Sequence, residues 1–139
     1  MVKGVTRGPC GEKVGRAADV EPIEARLSDG SVLEGVRLRW LISSDDGAPT
    51  FAMRLFEVEP GAVIPGHSHP WEHEIYVLEG SVRVCIENNC YELSAGDFIY
   101  IPPNTTHSYK AGSMGVRFLC LIPNKPSVPE DWAPPCKQG

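Results

Sequence analysis

No stretch of this sequence approaches the roughly 18 to 20 consecutive apolar residues that a membrane-spanning helix needs, and Met1–Cys10 carries no apolar core of a secretory signal. A membrane partner is therefore not expected, and a soluble, cytoplasmic protein is. Basic residues are equally sparse. The 13 lysines and arginines against 18 acidic residues give a formal charge of −5, with no basic block to follow a phosphate backbone. Nucleic acid is not an expected partner either, which leaves small molecules or protein. The five cysteines, Cys10, Cys85, Cys90, Cys120 and Cys136, form no Cys-x-x-Cys pair, so neither a zinc ribbon nor a disulfide framework is indicated. Cys85 and Cys90 can face each other if Ile86–Asn89 forms a four-residue hairpin loop, although an intracellular compartment would keep that pair reduced. Histidine is confined to one region: there are four, all between positions 67 and 107.

What the chain does have is length and turn chemistry. At 139 residues it makes one domain with a single core, and its 13 prolines and 14 glycines, scattered without repeat, suit short strands and turns. This predicts an all-β fold class. Residues 1–31 lack clear periodicity and read as an N-terminal arm. Residues 32–123 carry the strand signals, and 124–139 form a proline-rich C-terminal tail expected to be extended or disordered. Val32–Ile42 alternates, and Asp45–Pro49 is a turn. In the segment Thr50–Glu59, residues two apart share a face. Glu57 and Glu59 fall with Phe51, Met53 and Leu55, whereas Arg54 falls with Ala52, Phe56 and Val58. Two glutamates resist burial, so the Arg54 face points inward, with Arg54 either paired inside or reaching out at the rim. Glu74–Leu78 is a strand closed by a turn at Glu79-Gly80, and Ser81–Ile86 places Val82, Val84 and Ile86 inside. Asn88-Asn89 makes a hairpin. Phe98–Ile101, apolar on both faces, reads as a buried strand, and Val116–Ile122 puts Phe118, Cys120 and Ile122 on one face.

Three histidines sit in one heptapeptide, His67-Ser68-His69-Pro70-Trp71-Glu72-His73, and His107 closes a Gly-x5-Pro-x4-His element. Imidazole is the commonest protein ligand for transition metals, and a chain that concentrates all its histidines in one cluster is expected to hold an ion. His67 and His69 share a face of an extended segment and can bite one ion together. His73 needs the Pro70-Trp71 turn to bring it back to them. Parity does not separate His73 from Glu74 as the next ligand, because one continues into Ile75 and Val77 and the other into Tyr76 and Leu78.

These residues carry a family resemblance. Gly61-(x)5-His67-x-His69 with a closing Gly80, and Gly96-(x)5-Pro102-x-Asn104-(x)2-His107, are similar to the two cupin motifs, G(x)5HxH(x)3,4E(x)6G and G(x)5PxG(x)2H(x)3N, across about residues 32–123. The resemblance implies a double-stranded β-helix, a jelly-roll barrel. The chain departs from the motifs at Asn104, which replaces a glycine but also accepts left-handed geometry, and at Ala111, which replaces the final asparagine. Within the family, His67–Ile75 resembles a small single-domain subgroup with a four-histidine, manganese-type site. That likeness implies His67, His69, His73 and His107 as ligands, with Glu74 the alternative to His73. It also implies a homodimer in which the arm at 1–31 is exchanged or packed across the interface.

Four neutral imidazoles leave the full dipositive charge on an ion and favour an anionic ligand, whereas a glutamate cancels one unit. Four protein ligands leave two positions on a six-coordinate ion. Manganese is thus the first expectation and iron the next, ahead of structural zinc, while nickel, zinc and copper stay open because affinity order favours them in any nitrogen site. Arg54, Ile64, Phe118, Cys120 and Ile122 are the candidates to line a pocket for a small-molecule substrate. Trp71 either gates its mouth or caps the core. No catalytic residue is assigned; Glu72 and Glu74 are the only bases in view. The leading function is an oxidoreductase of the dioxygenase type acting on a small unsaturated or enol-type compound. The alternatives are a non-catalytic metal-dependent binding module and a metal-dependent isomerase.

Overall fold

The structure, a computed structural model, describes residues 4–138; the first three residues of the expected arm and Gly139 of the tail lie outside the described residues. The expected all-β class holds: ten strands and three short 3-10 turns follow one another, with no α-helix among the described residues. Strands β1 (Thr6–Arg7) and β2 (Lys13–Val14) pair only with each other. Strands β3 (Ile23–Arg26), β4 (Val32–Ile42), β5 (Phe51–Val58), β6 (Val63–His67), β7 (His73–Ile86), β8 (Asn89–Ser94), β9 (Phe98–Ile101) and β10 (His107–Pro123) form one antiparallel system. Its order is β3-β4-β5-β10-β7-β8, with β6 on β10 and β9 on β7.

Two long strands turn this system into a barrel. The second half of β10 pairs with β5, its first half pairs with β6, and β7 runs along its other edge. In the same way β7 pairs with β9 through its first residues and with β8 through its last. Both strands bend at glycine. Gly80 and Gly115 take positive φ, 76° and 75°, where a β-carbon is disfavoured, and a β-carbon on Gly80 would collide with the Gly115 carbonyl. The turn expected at Glu79-Gly80 is therefore a bend inside one continuous strand. The bend also shifts the face parity. His73, Ile75 and Val77 are buried before it, and Val82 and Val84 after it. Val77, Val82, Val84, Ile101 and Phe118 are almost fully covered in the core, and each such side chain contributes about 1.5–3 kcal/mol of burial.

Four further expectations change. Strand β9 is an edge strand that pairs only with β7, so it alternates: Ile101 is buried, but Phe98 is 78% exposed and Tyr100 53%. The hairpin turn is Glu87-Asn88 rather than Asn88-Asn89, because Ile86 pairs with Asn89. The next pair out is Cys85 and Cys90, which are joined in a disulfide. Residues 1–31 are no loose arm over their described part. Arg7 and Lys13 bind the Asp46 carboxylate at 2.6 and 3.0 Å, and β3 pairs with β4 of the same chain. Finally, the proline-rich tail docks. Prolines supply no ladder N–H, so side-chain amides hold the tail instead: Asn104 Nδ2 donates to the tail carbonyl of Trp132 at 2.8 Å, and Asn124 Nδ2, at the start of the tail, donates to the Ala48 carbonyl at 2.6 Å. Pro134 is buried, and Lys137 pairs with Glu87.

Strand β5 follows the parity argument on its inner face and departs from it on the outer one. Arg54 and Phe56 face the barrel interior. Glu57, on the opposite face, is not left to solvent: it is held between Arg39 at 2.8 Å and Arg117 at 3.4 Å, beside a buried Leu55.

Candidate metal centre

The barrel brings the four histidines together from strand ends. His67 is the last residue of β6, His73 the first of β7 and His107 the first of β10, and His67 and His107 are paired neighbours. His69 stands in the short connection between β6 and β7. One donor nitrogen from each ring lies within 4.8 Å of all the others. Glu74, the alternative ligand, is exposed and pairs with Tyr100 on the outer face, so strand alternation turns it away from this cluster.

The ring orientations follow from what holds each Nδ1. His67 donates from Nδ1 to the Pro65 carbonyl, His69 to the Trp71 carbonyl and His107 to the Thr105 carbonyl, each at 2.9 Å. A carbonyl only accepts, so these rings carry the proton on Nδ1 and leave an Nε2 lone pair free. His73 differs. Its Nδ1 lies 3.1 Å from Cys120 Sγ and 3.4 Å from Arg54 Nη2, and Arg54 Nη2 is itself 3.1 Å from the same sulfur. Its Nε2 is 2.8 Å from His69 Nε2. Trp71, whose carbonyl orients His69, also stacks on that ring at 4.0 Å.

The surroundings keep His69, His73 and His107 neutral. Burial pushes His69 and His107 down to about 4, with neighbouring imidazoles adding to the effect. His73 is lowered further, first by burial and then by Arg54 and the other rings. Neutral imidazole is the form that binds metal. The fit to an ion rests on one further atom: His107 Nε2 is buried and has no hydrogen-bond partner. A buried unpaired acceptor is costly, and a cation among the four Nε2 atoms satisfies it. The residues present thus fit a divalent metal held by four nitrogens.

Above the cluster opens a cavity of about 520 Å³. All five pocket candidates, Arg54, Ile64, Phe118, Cys120 and Ile122, line it, as do His67, His69, His73 and Trp71. Trp71 is therefore a wall of the mouth. Leu38, Trp40, Phe56 and Tyr109 also line it and are not among the pocket candidates of the sequence, although Phe56 shares the inward face of Arg54 and Trp40 shares parity with Val36 and Leu38 on β4. Residues 25–28 close one side, so part of the expected arm belongs to the pocket. Neither Glu72 nor Glu74 lines the cavity, and no other carboxylate among the described residues does. A smaller cleft elsewhere holds the Arg117–Glu57 and Arg117–Glu79 pairs and no histidine.

Comparison with known proteins agrees with this geometry. The family described as Cupin domain matches residues 54–122. Dimethylsulfoniopropionate lyase DddW of Ruegeria pomeroyi is 36% identical over 103 residues, covering 73% of this chain and 68% of that protein. The structure of the polyketide cyclase RemF from Streptomyces resistomycificus aligns at a TM-score of 0.72 with 32% identity, covering 89% of this chain and 88% of the other. Quercetin 2,3-dioxygenase of Bacillus subtilis is 37% identical over 63 residues, which is 45% of this chain and 19% of that protein. None of the described helices is long and apolar enough to cross a membrane.

Proposed function

The chain belongs to the cupin family, and from that premise we propose that it is a metal-dependent enzyme that cyclises a planar, enolisable polycarbonyl compound held against the four imidazoles. The observation that carries this reading is the cavity. It is large enough for a drug-sized ligand, walled by Trp40, Phe56, Trp71 and Phe118, floored by metal-competent nitrogens, and free of carboxylates. Likeness to the polyketide cyclase along most of both chains supports the choice of reaction.

A divalent ion supplies Lewis acidity here, withdrawing electron density from ligand oxygens and acidifying the C–H between two carbonyls. Manganese is proposed first and iron next. The chain's own residues do the rest. The aromatic walls order the substrate and hold its reacting carbons next to each other. Burial keeps the Cys120 and Tyr109 protons in place, so neither acts as base, and the carbon proton passes to water at the mouth. The carbanion then attacks a second carbonyl of the same molecule, that oxygen takes a proton, and water is lost.

A second reading, dioxygenation of an enol-type compound, is supported by the likeness to quercetin 2,3-dioxygenase. One experiment separates the readings: metal-loaded protein is given a synthetic aromatic β-polycarbonyl with and without oxygen. A cyclised product lighter by one water, formed equally in both atmospheres, supports the proposal. Oxygen uptake with a heavier product supports dioxygenation, and product of unchanged mass supports an isomerase. Tight metal binding without any product leaves the non-catalytic binding module. Assembly as a homodimer is proposed alongside.

A further inference from the structure

Arg54 is a cation built into the cavity wall without an anion to meet it. Among the described residues no aspartate or glutamate pairs with it, whereas Arg26, the other arginine on this wall, has Glu24 and the Gly30 carbonyl. Its Nε is buried and has no hydrogen-bond partner. Its guanidinium is fixed between two aromatic faces, 5.5 Å from the Trp40 ring centroid and 4.9 Å from that of Phe56. Nη2 finds the Cys120 sulfur at 3.1 Å. The contact at 3.4 Å to His73 Nδ1 is no substitute, because a His73 that offers Nε2 to a metal carries its proton on Nδ1, leaving two donors face to face.

A partly buried charge without a counter-charge costs stability, and such groups are retained where a ligand completes them. We propose that the cavity takes a planar aromatic or conjugated ligand bearing a carboxylate, and that Arg54 is the residue that binds this carboxylate. This deepens the proposed function and rests on the same cavity. Three features support the assignment. The guanidinium is a planar fork of donors that matches a carboxylate in two-point geometry, and its aromatic neighbours prevent it from turning away. The wall holds no acidic residue to compete, so the field in the cavity is positive and stronger still once a metal is bound. The rest of the wall is apolar and aromatic, which accepts a flat hydrocarbon body and leaves Arg54 and the metal as the two polar anchors. A ligand with one oxygen pair on the ion and a carboxylate on Arg54 is held at two points, and its reacting carbons are fixed between them.

The test is calorimetric titration of 2-naphthoate and of the uncharged 2-naphthamide into the metal-loaded protein, and again after the metal is stripped. Wild type, Arg54→Met and Arg54→Lys are compared. Wild type is expected to prefer naphthoate by about tenfold or more in both forms, the scale of one charge-assisted pair. Arg54→Met is expected to lose this preference in the stripped form and to melt no lower than wild type, since it removes an uncompensated charge. Arg54→Lys should keep part of it. Equal affinity for the two probes in wild type, or no binding of either, overturns the inference. So does a preference in stripped Arg54→Met equal to that of wild type, or a fall of several degrees in its melting temperature with no change in preference, which marks Arg54 as a structural prop. The outcome is separable from the reaction: cyclisation without charge preference defeats this inference alone, and charge preference without cyclisation defeats only the proposed reaction.

Discussion

Removing the Cys120 sulfur should weaken metal binding through a ligand it does not replace. Three of the four imidazoles are oriented by backbone carbonyls, which no substitution removes, but His73 depends on a side chain, with Cys120 Sγ at 3.1 Å from Nδ1. Cys120→Ala leaves the His73 N–H and the Arg54 Nη2–H without an acceptor in a buried place, at about 1–3 kcal/mol for each unsatisfied donor. In the metal-free protein the Arg54 share is partly met by the His73 Nδ1 lone pair at 3.4 Å, since His73 then donates from Nε2 to His69. The His73 share falls on the metal-loaded state, where Nδ1 must carry the proton, and loss of such an outer partner lowers metal affinity roughly 10- to 100-fold. Competition against a metallochromic chelator measures this directly. Cys120→Ser, which restores an acceptor, should recover most of the loss, and the manganese electron paramagnetic resonance line shape of Cys120→Ser should lie closer to wild type than that of Cys120→Ala. Equal metal affinity in wild type and Cys120→Ala refutes the reasoning, as does an identical loss in the serine and alanine variants.

The ligand set predicts that His73→Ala loses bound metal by elemental analysis while Glu74→Ala retains it; an empty Glu74→Ala would put the carboxylate back in the site. The metal-free protein should melt lower as pH falls from about 6.5 to 4. The pKa values of His69 and His107 are depressed in the folded state, so the unfolded chain binds more protons in that window, and a flat melting temperature across it would contradict the buried neutral rings. Reduction of Cys85–Cys90 should cost at most about 2 kcal/mol in denaturant titration, because the closed loop is short, and should leave metal stoichiometry unchanged. Light scattering should give twice the monomer mass for the proposed homodimer, and a single-chain mass would end that proposal.

The four-histidine cluster is legible in the sequence because metal ligation demands particular side chains at particular spacings: the His67, His69 and His107 spacings are written in the motifs. The choice between His73 and Glu74 is not, since both faces of β7 carry apolar residues there, and only the pairing of Glu74 with Tyr100 on the outer face decides it. Arg54 was placed inward because two glutamates on the opposite face argued against the reverse. The bend at Gly80 is not legible, because a glycine between two strand-like runs looks the same in a turn and in a kinked strand. Nor is the exposure of Phe98 and Tyr100, because hydrophobicity alone does not say that β9 lies at an edge. The docked tail rests on side-chain donors from distant positions, Asn104 above all, and no local pattern announces such contacts.

Asn104 sits at φ 58°, in the left-handed conformation its motif position requires, and its backbone N–H reaches the His69 carbonyl at 2.8 Å while its side chain grips carbonyls of residues 129, 130 and 132. One residue thus couples the last stretch of the chain to the loop that aims an imidazole. A fusion or truncation near residue 130 is no neutral handle on this protein, because whatever pulls on that stretch pulls on the four-imidazole cluster.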